Sequence, residues 1–358
     1  MKAGPPLAAL RAALRASRGA LDAALVDAAF EPLADTGLAH WHVRLAGTPW
    51  LARVPKQSQL GLAAAANLAY QAACFERAAP GGHTPALHAV LAPSAGLPRG
   101  ALLVEAIDGL PLTLPRDLGG IVDALASLHR LPLPEEAARP PLRDPADPLA
   151  ALAAEIDAQG AFLDAAALAP AARRRVDAER ARWQRLLATP SRPPKHLIAF
   201  DAHPGNYLRR RGDGRLILVD LEKARYGAAA LDLAHATLYT STTWDLHARA
   251  DLALAEVSAA YAHWLSAMAG AVRLDEEHAW FAPLRRAMWL WSVTWCALWR
   301  VQSGAAPKAG GDGADWSAAR SEGALAAHVR ERVDHYLSPQ GVDRVCDEAD
   351  ALERQWTG

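Results

Sequence analysis

Apolar residues recur three or four positions apart from Leu7 towards Phe30, the spacing of one helical face, with Arg11, Arg15 and Arg18 between them. The texture changes at Glu31. His40–Leu45 and Trp50–Val54 read as strands joined by Ala46-Gly47-Thr48-Pro49, and Pro55 ends the second. Residues 61–79 are Ala-rich without proline and predict a helix, broken by Pro80-Gly81-Gly82-His83-Thr84-Pro85. Leu87–Leu91 and Ala101–Ala106 are further strand-like runs, closed by the turn Asp108-Gly109. After Gly109 helical patterns dominate, over 117–130, 147–168, 170–188, 246–270, 275–302 and 316–337. Leu197–Phe200, Tyr207–Arg209 and Leu216–Leu221 are short β-prone runs set within that helical part. The Gly-rich link Ala305–Ala314, with Gly310, Gly311 and Gly313, lacks the Lys-Ser or Lys-Thr of a phosphate loop and predicts a flexible surface loop. The pattern divides the chain into a helical segment over 1–30, a strand-rich part over 31–109 and a mainly helical part over 110–358.

Composition narrows the function classes. The chain has 358 residues, enough for one large domain or two ordinary ones. Its net charge of −1 leaves no broad basic field, which argues against nucleic acid as a partner. The cysteines Cys74, Cys296 and Cys346 are far apart and form no CxxC pair, so neither a disulfide framework nor a cysteine zinc site is indicated, and a reducing cytoplasm is the expected setting. The arginines near the N-terminus interrupt any signal-like apolar run. Ala287–Trp299 is too short to span a bilayer and predicts a buried helix, so no membrane is expected as a partner.

Candidate chemistry concentrates in His196–Asp245. Asp201 follows a short apolar run, and Asn206 lies five residues on, across Pro204-Gly205. A hairpin with Gly212-Asp213-Gly214 at its tip follows, and its returning strand delivers Asp220. Phosphoryl transfer needs a carboxylate to take the proton of an acceptor hydroxyl, and hard oxygen ligands for the Mg²⁺ that accompanies a triphosphate. Two carboxylates and an amide so spaced can turn towards one centre.

On these residues the sequence resembles the aminoglycoside phosphotransferase and choline kinase superfamily, relatives of the protein kinases. The pattern Asp201-Ala202-His203-Pro204-Gly205-Asn206, then Val219-Asp220, Gly227 and Asp232-Leu233-Ala234 carries the likeness. The resemblance implies an α+β, bilobal protein-kinase-like fold, with a small antiparallel-sheet N-lobe and a mainly helical C-lobe. It implies ATP as phosphoryl donor, Mg²⁺ as cofactor and a small-molecule acceptor: a choline- or ethanolamine-like alcohol, an aminoglycoside, an amino alcohol or a sugar. By the same likeness Asp201 is the catalytic base, Asn206 and Asp220 are metal ligands, Asp232 is structural, and His203 is a loop residue. Leu51-Ala52-Arg53-Val54-Pro55 looks like the strand whose basic residue meets the α- and β-phosphates, which points to Arg53 with Lys56 second. Leu103–Gly109 resembles the hinge whose backbone, at Glu105 and Ile107, would hold adenine. The sequence departs from the family pattern at Ala199 and Phe200, where the family has His and Gly. The helix partner of the strand basic residue is Gln71 or Glu76, and the nucleotide-covering turn shortens to Asp35-Thr36-Gly37.

Other chemistry-bearing residues have plainer readings. Glu222 and Lys223 follow Asp220 directly and could line the site, but a solvated surface pair is the plainer reading. His83 and His88 predict loop surface, and Arg209-Arg210-Arg211 a solvated hairpin face without interleaved aromatics. Trp291, Trp295 and Trp299 form a helical stripe that predicts core packing, with an aromatic cage beside Asp245 for a cationic amine as the sharper option. Asp275, Glu276 and Glu277 are consecutive and cannot all face one pocket on a helix. Two other classes fit the same motifs: a nucleotide-binding pseudokinase with a regulatory role, and a kinase acting on a protein side chain. Oligomeric state is open.

Overall fold

The computed structural model describes residues 4–19, 21–35, 37–308 and 311–357. Thr36 of the expected nucleotide-covering turn and Gly310 of the Gly-rich link lie outside the described residues. The chain separates into two compact units. The first comprises 1–79, 84–108 and 302–329; the second comprises 80–83, 109–301 and 330–358.

The first unit is built on an antiparallel sheet of five strands: β1 (Phe30–Pro32), β2 (His40–Leu45), β3 (Trp50–Pro55), β4 (Leu87–Leu91) and β5 (Ala101–Glu105), ordered β1-β2-β3-β5-β4. Alternation along β2 sends Val43 and Leu45 to the core and leaves His42 and Arg44 less covered. The expected helix over 7–30 is instead two, α1 (Leu7–Ala16) and α2 (Ala23–Asp27). Leu10, Leu14 and Leu25 from these helices share one core with Val43, Leu45, Ala52, Val54 and Leu103 of the sheet. Gly100, which leads into β5, has φ +66°, and a Cβ there would meet Leu91 O at 2.4 Å, so only glycine fits.

Helix α3 (Ala64–Ala78) has no capping side chain of its own next to it. The cap comes from far along the chain: Asp312 Oδ1 accepts from Ala64 N at 2.7 Å. Gly313 N also donates to Leu62 O at 3.1 Å, and Gly313 O accepts from Arg99 at 3.0 Å. The described part of the Gly-rich link is therefore bound to the first unit by hydrogen bonds. A free surface loop was the expectation, and distant capping of this kind leaves no local mark in the sequence.

The second unit begins with β6 (Gly109–Pro111) and α4 (Leu118–His129), then α5 (Pro148–Gly160) and α6 (Pro170–Leu187). Strands β7 (His196–Ile198), β8 (Tyr207–Arg210), β9 (Leu216–Leu218) and β10 (Arg225–Gly227) form two small sheets, β10-β7 and β6-β8-β9. The helices that follow are α7 (Ala229–Thr237), α8 (Tyr239–Thr242), α9 (Leu254–Met268), α10 (Leu274–His278), α11 (Phe281–Gln302), α12 (Gly323–Tyr336) and α13 (Pro339–Thr357). Helix α12 runs across the division between the units at Val329.

Several helices are shorter than the pattern predicts. The helix expected over 275–302 is broken between α10 and α11, because Pro283 is tolerated only in a first turn and so forces a new helix start at Phe281. The segment 246–253 is not helical; Asp245 Oδ1 accepts from His247 N at 2.7 Å and Ala248 N at 2.8 Å and turns the chain there. Of the aromatic stripe, Trp291 and Trp299 are buried, as core packing predicted, while Trp295 is half-buried; Trp264 and Trp289 are almost fully buried as well. Arg285, also buried in α11, pairs with Glu348 of α13 and donates to Thr237 Oγ1 at 2.7 Å, so its charge is compensated. Among the described residues no helix is long and apolar enough to cross a membrane.

Candidate active site

The motif residues of the second unit are organised by one buried carboxylate, Asp232 of α7. Its Oδ2 accepts from Ala199 N and its Oδ1 from Phe200 N, both at 2.7 Å. The two amides belong to the loop that leaves β7, so Asp232 fixes the backbone immediately before Asp201. Phe200 sits at φ +60°, a left-handed conformation that favours glycine. The departures Ala199 and Phe200 therefore keep the backbone contacts of this loop, since Asp232 binds amides and not side chains. The ring of Phe200 is held in turn by the Arg225 guanidinium, 3.7 Å from its centroid, and by an edge contact with Trp291 at 5.2 Å.

Behind Asp232 stands a chain of polar groups that sequence reasoning missed. His129, at the end of α4, lies 3.0 Å from Asp232 Oδ2 through Nε2, and its Nδ1 accepts from Trp264 Nε1 at 3.0 Å. The indole can only donate, so the proton of His129 sits on Nε2 and points at Asp232. His196, at the start of β7, lies between two acceptors: His129 O at 2.9 Å from Nδ1 and Glu277 Oε1 at 2.7 Å from Nε2. Burial opposes a charge on His196, but Glu277 more than offsets it, and its pKa is raised above the ordinary value. Of the acidic run Asp275–Glu277, only Glu277 is buried.

The loop then delivers its functional groups. Pro204–Asn206 is one short 3-10 turn, with His203 Nδ1 accepting from Gly205 N at 3.2 Å. A Cβ at Gly205 would fall 2.7 Å from Asp245 Oδ2, so glycine is required for this close packing. Asn206 Nδ2 donates to the backbone O of Asp201 at 2.7 Å, which closes the five-residue loop and leaves Asn206 Oδ1 as the remaining acceptor. Val219 N donates to Asn206 O at 2.8 Å, so the segment that leaves β9 and carries Asp220 runs beside Asn206. The carboxylate oxygens of Asp220 and Glu222 lie within 4.8 Å of one another. Hard oxygen donors of this kind suit Mg²⁺ and not a thiophilic metal.

Asp201 itself is buried, 8% exposed, and its Oδ2 accepts from Lys223 Nζ at 2.7 Å. His235 Nδ1 lies 3.7 Å from its Oδ1. Burial alone would raise the pKa of Asp201, but Lys223 first, with His203 and His235, holds it well below the usual carboxylate range. His235 is pushed down to about 4 by burial, so it is neutral near pH 7. Glu222 and Lys223 are 4% and 8% exposed and are not the solvated pair the sequence predicted. The turn after β9 carries both inward, and Lys223 finds its partner 22 residues away, beyond the reach of a local reading. Lys223 Nζ also stands 5.4 Å from the centroid of Trp291, whose Nε1 donates to Glu155 at 3.0 Å.

In the first unit, Arg53 of β3 is buried, 3% exposed. Its Nη2 lies 3.4 Å from His40 Nδ1, and His40 Nε2 lies 3.0 Å from Gln71 Oε1. Gln71 is thus linked to Arg53 through a bridging His40, a residue the sequence did not single out, while Glu76 is on the exposed face of α3. Lys56 Nζ is paired with Asp35 and donates to Gly37 O at 2.7 Å. Glu105 ends β5, where its N–H donates to Ala86 O at 2.8 Å, and Ile107 follows in the half-buried segment before the second unit begins at Gly109. His83, expected at the loop surface, is half-buried and bonds Leu216 O through Nδ1 at 2.8 Å, so it holds the hairpin of the second unit.

Comparison with known proteins gives this geometry a family. The chain is similar throughout to a choline/ethanolamine kinase family protein from Mesorhizobium loti, with 17% identity, a TM-score of 0.60, and 99% and 100% of the two chains covered. It is similar to the ethanolamine kinase of Plasmodium vivax, at 12% identity and TM-score 0.59, covering 94% and 87%. It also resembles the aminoglycoside 2′-phosphotransferase-IIIa solved as a GDP complex, at 16% identity and TM-score 0.51, covering 86% and 92%. These likenesses show a protein-kinase-like α+β fold. No curated protein sequence matches the chain. The family model described as "Phosphotransferase enzyme family" matches residues 29–276, more than half of the sequence, with the Asp201 loop, Asp220 and Asp232 inside it, and the chain belongs to that family of enzymes.

Proposed function

We propose that the protein is a small-molecule kinase that moves the terminal phosphoryl group of ATP to an alcohol hydroxyl, with Mg²⁺ as cofactor. The observation that carries this reading is Asp201, a buried carboxylate that accepts from Lys223 at 2.7 Å on a loop that Asn206 closes at 2.7 Å. In the proposed roles, Asp201 accepts the proton of the acceptor hydroxyl as the oxygen attacks phosphorus. Asn206 Oδ1 and Asp220 would hold Mg²⁺, with Glu222 close enough to Asp220 to assist. The metal, when bound, would neutralise phosphate charge. Arg53 is the proposed phosphate cation of the first unit, with Lys56 second. The backbone of Glu105 and Ile107 is proposed to hold adenine. Nucleotide use is supported by the GDP held by the aminoglycoside 2′-phosphotransferase-IIIa relative. A cytoplasmic setting accords with the three free, buried cysteines.

The test is nucleotide consumption over a panel of hydroxyl-bearing metabolites and aminoglycosides, with and without EDTA. At least one acceptor is expected to be phosphorylated, with the rate lost on chelation and reduced by about 10² or more in Asp201→Asn. Undiminished turnover in that variant would refute the role of Asp201.

A further inference from the structure

The groups packed round Asp201 also bear on which alcohol it can serve, and this step rests on the kinase reading above. We infer that the acceptor is a hydroxyl compound without positive charge, a polyol, sugar or hydroxy acid, and that Lys223 is the residue that sets this preference. A base must touch the hydroxyl it deprotonates, and Lys223 Nζ lies 2.7 Å from Asp201 Oδ2. An ammonium group tethered close to the reacting hydroxyl would therefore approach a fixed cation of the same sign.

Recognition of a cationic amine needs a spare acid or an open aromatic face. Among the described residues round Asp201, each of Trp291, Glu155 and Asp245 is engaged by groups of the protein itself. Trp291 has the cation Lys223 5.4 Å from its ring centroid. Glu155 is committed to Arg225 at 2.5 Å, Arg143 at 2.9 Å and the Trp291 indole at 3.0 Å. Asp245 accepts from the amides of His247 and Ala248 and packs against Gly205. Asp220 and Glu222 belong to the proposed metal site. A second aromatic group, Trp244 against Trp295 and Tyr336, has Arg332 6.0 Å from the Tyr336 centroid. Lys223 and Arg332 thus stand against Trp291 and Tyr336, rings to which a quaternary or protonated amine would otherwise be drawn. An uncharged hydroxyl meets no such opposition, and an anionic group on the acceptor would be attracted by Lys223.

The experiment compares kcat/KM with Mg·ATP for three acceptor sets: neutral polyols and sugars, hydroxy acids, and the cations choline, ethanolamine and aminoglycosides. Wild type, Lys223→Gln and Lys223→Arg are assayed in parallel, with melting temperature as the check on folding. The best cationic acceptor is expected at least about tenfold below the best uncharged or anionic one. Lys223→Gln is expected to narrow that gap about tenfold, and Lys223→Arg, which retains the charge, to preserve it. A cation as best wild-type acceptor overturns the inference and leaves the kinase reading standing, as does a gap that Lys223→Gln leaves unchanged. Turnover of none of the three sets, with no shift of melting temperature by Mg·ATP, overturns the kinase reading itself.

Discussion

His129 Nε2 lies 3.0 Å from Asp232 Oδ2, and the same oxygen accepts the amide of Ala199 at 2.7 Å. One buried carboxylate therefore ties the end of α4 to the backbone that presents Asp201. Its other oxygen holds Phe200 N at 2.7 Å, so three donors converge on it. Asp232→Asn would turn one acceptor oxygen into a donor and face it with a donor. It should lower stability by about 3 kcal/mol or more, read from urea midpoints. Activity at temperatures where the variant stays folded should also fall, because the Asp201 loop loses its anchor.

Asp201 and Lys223 form a buried pair, and removing one partner leaves the other charged in a dry site. Asp201→Ala should cost about 3–5 kcal/mol. The double variant Asp201→Ala/Lys223→Met should regain most of that stability but none of the phosphotransfer. Recovery of activity in the double variant would contradict a chemical role for Asp201.

Phe200 pays for its left-handed backbone with the contacts of its ring. Phe200→Gly relieves about 1 kcal/mol of strain but removes a ring packed on Arg225 and Trp291, a loss of about 3–5 kcal/mol. Net destabilisation of about 2–4 kcal/mol is expected. A more stable glycine variant would show that the ring contributes little.

The pH dependence of stability carries a signature of His196. Its folded pKa is raised, so its contribution is fully present below the ordinary histidine value and is lost as pH rises through the folded value. His129 and His235, lowered mainly by burial, act in the opposite sense and cost stability as pH falls below that ordinary value. Comparing Glu277→Gln with wild type isolates the first effect. The variant should be less stable near about pH 6, and the gap should shrink near about pH 9, where a neutral His196 can accept from glutamine. A gap independent of pH would mean that His196 is not charged in the folded protein.

Asp312 caps α3 from a point remote in sequence. Asp312→Ala should cost about 1 kcal/mol, whereas Asp312→Asn, which keeps an acceptor oxygen, should stay close to wild type. Equal losses in both variants would place the effect in the charge and not in the hydrogen bond.

The sequence by itself determined strands β2 to β5 of the first unit and the order of the chemistry, but not the bounds of several helices, nor α13. His40–Leu45 alternates towards its end because one face of that strand is buried, whereas Trp50–Val54, buried continuously from Ala52, was legible from its residue types and the closing Pro55. The spacing of Asp201, Asn206 and Asp220 marked a loop and hairpin because Pro204-Gly205 and Gly212-Asp213-Gly214 admit few backbone paths. Tertiary structure decided what those residues touch. Nothing near Lys223 in the chain announces that it will be buried against Asp201; that pairing depends on where the turn after Asp220 points. The links from Glu277 to His196, and from Asp312 to the start of α3, join residues 81 and 248 positions apart. Periodicity reports which face of an element is apolar. A polar side chain that is buried because a distant partner satisfies it leaves no periodic trace, and its role appears only when the fold brings donor and acceptor together.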